Sequence, residues 1–201
     1  MRTAGLVLLL AVVLLGPSMV SGVPSGLGVE ANEGCLCHAS TAAATVELDG
    51  LPEAYIANTT YDLVLTVTST IEVNIDGYQG GFRLQASNGT FSYDTSMLQF
   101  LDGGLTHREA GAGQRVWTFN WTAPPVNDSR TDFVIHANAV NGNNAPSEDA
   151  WTTVRLVVPS VGFTGDLTPS EGIDGVSGTD RVVLAVGLLV LAGLLWTNLR
   201  P

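Results

Sequence analysis

The sequence predicts an all-β fold, an immunoglobulin-like antiparallel β-sandwich. Apolar and polar residues alternate with period two along the middle of the chain, which is typical of half-buried strands. Clusters rich in Gly, Asn, Asp and Pro separate these alternating runs, and no stretch of the body has an apolar stripe of helical period. Six or more short strands in about 125 residues favour a sandwich.

Six strands are predicted between residues 45 and 158, the boundaries of the predicted sandwich. In chain order they cover residues 45–48, 61–67, 82–86, 117–121, 133–139 and 154–158. Trp117, Phe119 and Trp121 occupy alternate positions of one strand, so we expect them to fill the core together.

The first 22 residues are predicted to be a signal peptide. Arg2 gives a positive start, an apolar stretch runs to Leu15, and small residues at 20–22 suit a cleavage site. The mature chain is therefore expected to begin near Val23, with an N-terminal segment, 23–44, before the sandwich.

The other end of the chain predicts a single-pass membrane anchor at 181–200. No charged residue lies between Arg181 and Arg200, and at about 1.5 Å per residue a helix of this length nearly spans an apolar core of about 30 Å. Trp196 suits the interface and Arg200 the cytoplasmic side, which places the N-terminal domain outside the cell. Residues 159–180, rich in Gly, Pro, Ser and Thr, are expected to form a flexible tether. A removable sorting signal is the alternative to a permanent anchor.

The charge composition excludes several classes of function. The chain has 19 acidic residues against eight basic ones, a net charge of −11, and all the basic residues are arginine. The absence of lysine excludes Schiff-base, pyridoxal and P-loop chemistry, and the acidic surface argues against nucleic acid as a partner. Gly-x-Ser-x-Gly and His-Glu-x-x-His motifs are missing, so we expect no enzyme. The acidity suits solubility or docking of a basic partner.

One motif carries candidate chemistry: Cys35-Leu36-Cys37-His38, which holds both cysteines of the chain. A disulfide between Cys35 and Cys37 closes a very small loop and stabilises little. The motif lacks one residue of the Cys-x-x-Cys-His pattern in which two thiols attach haem c and the histidine binds iron. Two thiolates and an imidazole also suit copper or zinc. Haem, a metal ion and a local disulfide are the three interpretations.

A haem iron would need a sixth ligand, for which the sequence offers His107, His136 and Met97. His107 follows residues 102–106, an irregular segment that can wrap toward a cofactor. His136 lies within a predicted strand, on the face opposite Phe133, and is expected to point outward. Met97 is expected to pack in the core.

Four Asn-x-Ser/Thr sequons are candidate glycosylation sites in an exported chain: Asn58, Asn88, Asn120 and Asn127.

The order and spacing of several short motifs resemble a known family. The motifs are Cys35-Leu-Cys-His38, Tyr61-Asp-Leu-Val-Leu-Thr-Val67, Gly81-Phe-Arg-Leu-Gln-Ala86, Thr106-His107, Trp117-Thr-Phe-Asn-Trp-Thr-Ala-Pro124 and Ala137-Asn-Ala-Val-Asn-Gly142. From about residue 34 to 158 the chain is similar to reeler-type, reelin-domain-like surface proteins of bacteria and archaea, including the choice-of-anchor type. The resemblance implies a β-sandwich at the cell surface and favours His107 as the histidine that accompanies the cysteine motif.

The leading functional hypothesis is a membrane-anchored, extracytoplasmic haem- or metal-binding protein that transfers electrons. Cys35 and Cys37 would hold the cofactor, His38 would be the proximal ligand and His107 the distal one. Its expected partners are the membrane, through the C-terminal helix, and a redox or surface protein. The alternative is a non-catalytic surface adhesion or interaction domain in which Cys35 and Cys37 form a local disulfide.

Overall fold

Two antiparallel sheets face one another in the computed structural model, which describes residues 23–34, 43–73, 75–143, 145, 147–169 and 178–199. This arrangement confirms the predicted all-β sandwich. The predicted signal peptide, 1–22, lies outside the described residues.

The described residues form two 3-10 helices, Val29–Ala31 and Glu109–Gly111, together with nine strands and one long helix. Their bounds are β1 Ala44–Asp49, β2 Thr60–Ser69, β3 Gly80–Ala86, β4 Thr90–Tyr93, β5 Leu98–Leu101, β6 Gly104–His107, β7 Val116–Thr122, β8 Arg130–Ala139, β9 Ala150–Pro159 and α1 Gly178–Leu199. One sheet has the strand order β1-β2-β7-β4 and the other β5-β6-β3-β8-β9.

The core lies between the sheets and is rich in aromatic rings. Trp117, Phe119 and Trp121 are each no more than 3% exposed, which confirms their predicted place in the core. Trp121 meets the rings of Tyr55 and Phe133 edge-on, at centroid distances of 5.5 and 5.1 Å. Such contacts add to the large apolar area that each ring removes from water.

Three short strands, β4, β5 and β6, were not predicted. The prediction that residues 102–106 are irregular is wrong, because β6 begins at Gly104 and pairs with β5. Asp102 and Gly103 both have positive φ, 43° and 78°, and form the tight turn between Leu101 and Gly104. Two-residue turns of this kind match the twist of a hairpin.

The sandwich has two distinct ends. At the tail end, Tyr55 donates its backbone N–H to the carbonyl of Pro159, where β9 leaves the domain. At the head end, the Arg115 guanidinium donates to the carbonyls of Gln79, Ile71 and Val140. One side chain therefore joins the β2–β3 and β8–β9 loops to its own loop before β7.

The helix α1 covers most of the predicted anchor and includes the last three residues of the predicted tether, 178–180. Among the described parts of the chain, no helix is both long and apolar enough to cross a membrane. Nearer the sandwich, Arg130 donates to the carbonyls of Asp166 and Thr168, so the first part of the tether contacts the tail end.

Candidate functional site

An N-terminal strap, residues 23–34, lies across the outer face of the five-stranded sheet. Near its start, the carbonyl of Ser25 accepts a hydrogen bond from the Gln99 side chain on β5. Near its end, Asn32 is bonded to β3 and β8, and Gly34 lies against the Trp151 ring on β9. The strap therefore crosses the sheet from one edge strand to the other.

A row of polar side chains lies beneath the strap. Strand pairing places Thr106, Arg83, His136 and Thr153 side by side on β6, β3, β8 and β9. Thr106, Arg83 and His136 are no more than 2% exposed. Buried polar groups need hydrogen-bond partners, and this row finds several of them in the strap and the neighbouring turn.

Arg83 is the buried cation of this row. Its Nε donates to the side-chain oxygen of Asn32 at 3.1 Å, and its two terminal nitrogens donate to the carbonyls of Leu101, Asp102 and Gly104. Burial lowers the pKa of Arg83, while the nearby carboxylates of Asp102 and Glu30 act in the opposite direction. The guanidinium thus joins the strap to the β5–β6 turn.

His136 forms the second link between the strap and the sheet. Its Nε2 lies 2.8 Å from the carbonyl oxygen of Asn32, and its Nδ1 lies 2.7 Å from the Thr153 hydroxyl. Because a carbonyl oxygen only accepts, Nε2 carries the proton and Nδ1 accepts from Thr153. Burial is the main cause that lowers the pKa of His136. His136 faces outward as predicted, and the strap covers it.

His107 is held in place at the end of the β3–β6 pairing. The backbone N–H of Phe82 donates to its Nδ1 at 3.2 Å, and its ring lies near Trp117. A Cβ atom added to Gly81 would lie 2.3 Å from the His107 ring. Burial lowers the pKa of His107 to about 4.

This placement does not fit the predicted role of His107 as a distal haem ligand. The residue is 8% exposed and packs against Gly81, Phe82 and Trp117, so its ring has no room for a porphyrin beside it. Met97, another candidate, is partly buried against the core, in agreement with its expected packing.

The cysteine motif itself, Cys35, Cys37 and His38, lies outside the described residues. Gly34, the last described residue before the motif, lies beside Trp151 on β9. His136 is bonded to Asn32, three positions before Cys35, which makes His136 the described histidine nearest to the motif along these contacts. Haem and metal binding by the motif stay predictions.

Elsewhere in the described residues, no three His, Cys, Asp or Glu side chains come together in a group that could hold a metal ion. An open depression of about 580 Å³ borders the strap, and its lining residues are Ser25, Ser96, Gln99, Arg108, Glu109 and Ala110.

The four predicted glycosylation sites differ in their surroundings. Asn58, Asn88 and Asn127 lie in exposed loops, whereas Asn120 is half-buried within β7. All four sequons lie at or toward the tail end, in or beside β2, β4, β7 and the loop before β8.

Sequence reasoning missed Arg83 and Asn32 as structural partners. Arg83 faces away from the core in an alternating strand, and such a position is ordinarily solvated. A weak signal was available, since its strand carries glycine at 80 and 81, where the chain packs closely against other groups.

Neither a protein-family model nor a curated protein sequence matches the chain. Among solved structures, it is similar to the human F-spondin reeler domain, with 19% identity and a TM-score of 0.39 over 60% of this chain and 91% of that one. A conjugative transposon lipoprotein from Bacteroides eggerthii has 14% identity and a TM-score of 0.35, covering 57% and 97%. AggA, the major fimbrial subunit from Escherichia coli, has 11% identity and a TM-score of 0.36, over 60% of this chain and 95% of that one. Similarity at this level carries no information about activity.

Proposed function

We propose that the chain is a non-catalytic surface domain, in which the sandwich is a scaffold that fixes the strap and presents the segment after it. The proposal rests on one observation: the buried polar row holds the strap in place. Arg83 and His136 bind the strap through Asn32, so these groups serve the scaffold. This is the predicted adhesion or interaction alternative, and it is preferred here to electron transfer.

The proposal places the domain at the outer side of a membrane. The described side chains of α1 between Val182 and Trp196 are apolar, and the large ones are more than half exposed. Exposed apolar side chains are stabilised by an apolar environment, which supports the predicted membrane association. In this proposal the N-terminal strap crosses the sheet, and the C-terminal helix holds the domain at the membrane.

The acidic composition supports a protein partner with basic side chains over nucleic acid or an anionic lipid surface. The chain carries a net charge of −11, and like charges repel phosphate-rich partners. Complementary charge steers association and selects partners more than it adds affinity.

The test compares cells that display the full chain with cells that lack it. We expect displaying cells to adhere more strongly to one another or to an acceptor surface, and a C35S/C37S/H38A variant displayed at the same level to adhere equally well. Loss of adhesion in that variant, together with a Soret band in the purified native chain, would overturn the proposal and restore the haem hypothesis.

Intact mass of the same purified chain distinguishes the three states of the motif. A Cys35–Cys37 disulfide lowers the mass by two hydrogens, covalent haem adds the mass of one haem, and a bound metal adds its own mass under native conditions. We expect the disulfide. Covalent haem in most molecules would contradict a purely adhesive domain.

A further inference from the structure

Two of the four sequons occupy equivalent places in the four-stranded sheet. Asn58 and Asn88 each stand two residues before the first residue of a strand, which is Thr60 in β2 and Thr90 in β4. Both strands flank β7, and both threonines pair with Thr122. The two asparagines therefore lie on either side of the end of β7, at the tail end of the sandwich.

The acceptor groups at these two positions are open to solvent. Asn58, Thr60, Asn88 and Thr90 are all exposed, and the one bond of the Thr60 hydroxyl, 2.9 Å to that of Thr122, is exposed too. Asn58 is in the left-handed region, with φ 58°. The Asn88 side chain donates only to neutral oxygens, the Arg130 carbonyl at 3.1 Å and the Ser87 hydroxyl at 3.4 Å. Water can replace such exposed bonds at little cost.

In the other two sequons the corresponding groups are bonded to a charged or a buried side chain. The Asn120 amide nitrogen donates to the carboxylate of Asp62, in the middle of the sheet. At Asn127, the required hydroxyl of Ser129 lies 2.7 Å from the phenol oxygen of Tyr55, which is fully buried. Hydrogen bonds to a charged group or to a buried side chain are costly to give up.

We infer that Asn58 and Asn88 carry N-linked glycans and that Asn120 and Asn127 stay unmodified. The step is transfer of a sugar from a lipid-phosphate-linked donor. The asparagine Nδ2 bonds to the anomeric carbon, its proton passes to a base of the transferase, and the lipid phosphate leaves with the electrons of the broken carbon–oxygen bond. Two bulky, polar groups then cover the tail end beside the tether.

This arrangement leaves the head end free of glycans. That consequence rests on the proposed function, since it gives an interaction domain one covered end and one open end. Glycan placement can be measured without any partner, so it can fail while the adhesion proposal stands.

The experiment expresses the full chain in a host that adds N-linked glycans, beside a reference sequon protein that confirms transfer in the same culture. Glycopeptide and intact-mass analysis is expected to find glycans at Asn58 and Asn88. N58Q and N88Q should each remove one glycan mass, and the double variant both. N120Q and N127Q, the matched controls, should leave the glycan mass unchanged.

Substitutions of the two threonines separate sequon chemistry from damage to the fold. T60S and T90S keep the hydroxyl and should keep the glycan, whereas T60V and T90V keep the strand and should lose it. The inference is overturned by glycans at Asn120 or Asn127, by equal occupancy of all four sites, or by an unmodified chain beside a modified reference.

Discussion

The outer faces of the two sheets differ in how exposed their residues are, although the inner faces of both sheets are buried in the core. On β7 exposed and buried residues alternate, with Val116 47% exposed and Trp117 1% exposed. On β3 the outward Arg83 is as buried as the inward Leu84, at 1% and 0%. The strap accounts for the difference, because it covers the five-stranded sheet only. Covering a sheet on both faces converts its outward polar residues into structural groups that must be satisfied.

The largest expected effect of breaking this arrangement comes from Arg83. R83M removes the donor to Asn32 and to three turn carbonyls, and leaves buried acceptors without partners. We expect the free energy of unfolding to fall by about 4 kcal/mol. Urea unfolding of the full chain in detergent, followed by tryptophan fluorescence, measures it.

The matched control is R155M, on the outer face of β9, where Arg155 is exposed. We expect a change within about 0.5 kcal/mol. Equal losses for the two variants would mean that burial under the strap does not make Arg83 important for stability.

The second largest expected loss of stability comes from lowering the pH. His107 has a pKa of about 4 in the folded chain against an ordinary value of 6.5, and burial lowers the pKa of His136 in the same direction. The unfolded chain therefore binds more protons below pH 6.5, so stability is full above that pH and falls as the pH drops toward 4. For His107 alone the loss amounts to about 3 kcal/mol.

Unfolding free energies measured at intervals from pH 7.5 to 4 check this dependence. H107Q removes one titrating group, so its stability should change less over the same range, even though it is less stable at pH 7.5. A wild-type stability that is flat between pH 6.5 and 4.5 would contradict the burial of neutral histidines.

The strap itself should loosen when His136 is replaced. H136L removes the donor to the Asn32 carbonyl and the acceptor for Thr153, and we expect a loss of about 2 kcal/mol. Amide hydrogen exchange should increase at 29–34 much more than in β7. Uniform acceleration in both places would indicate general destabilisation instead of release of the strap.

The inner face of each sheet could be predicted because its signal is local. Trp117, Phe119 and Trp121 lie within five residues of one another, and their alternation alone predicts that they share one face of a strand. The covered outer face depends on residues far apart in the chain, since Asn32 and His136 are separated by 104 positions. No pattern around either residue encodes that contact, and the bond between His107 and Phe82, 25 positions apart, is equally non-local.

The smallest expected losses of stability come from replacing one threonine by valine on the outer face of each sheet. Because the substitution is the same, the two faces can be compared directly. Thr118, on the outer face of β7, is exposed, and T118V should change stability by no more than about 0.5 kcal/mol. Thr106, under the strap, is fully buried and donates to the Phe82 carbonyl at 2.7 Å, so T106V should cost about 1.5 kcal/mol. The two variants remove the same hydroxyl from the same kind of strand. A difference of about 1 kcal/mol measures what burial under the strap adds to one hydrogen bond, and no difference would mean that water reaches Thr106 despite the strap.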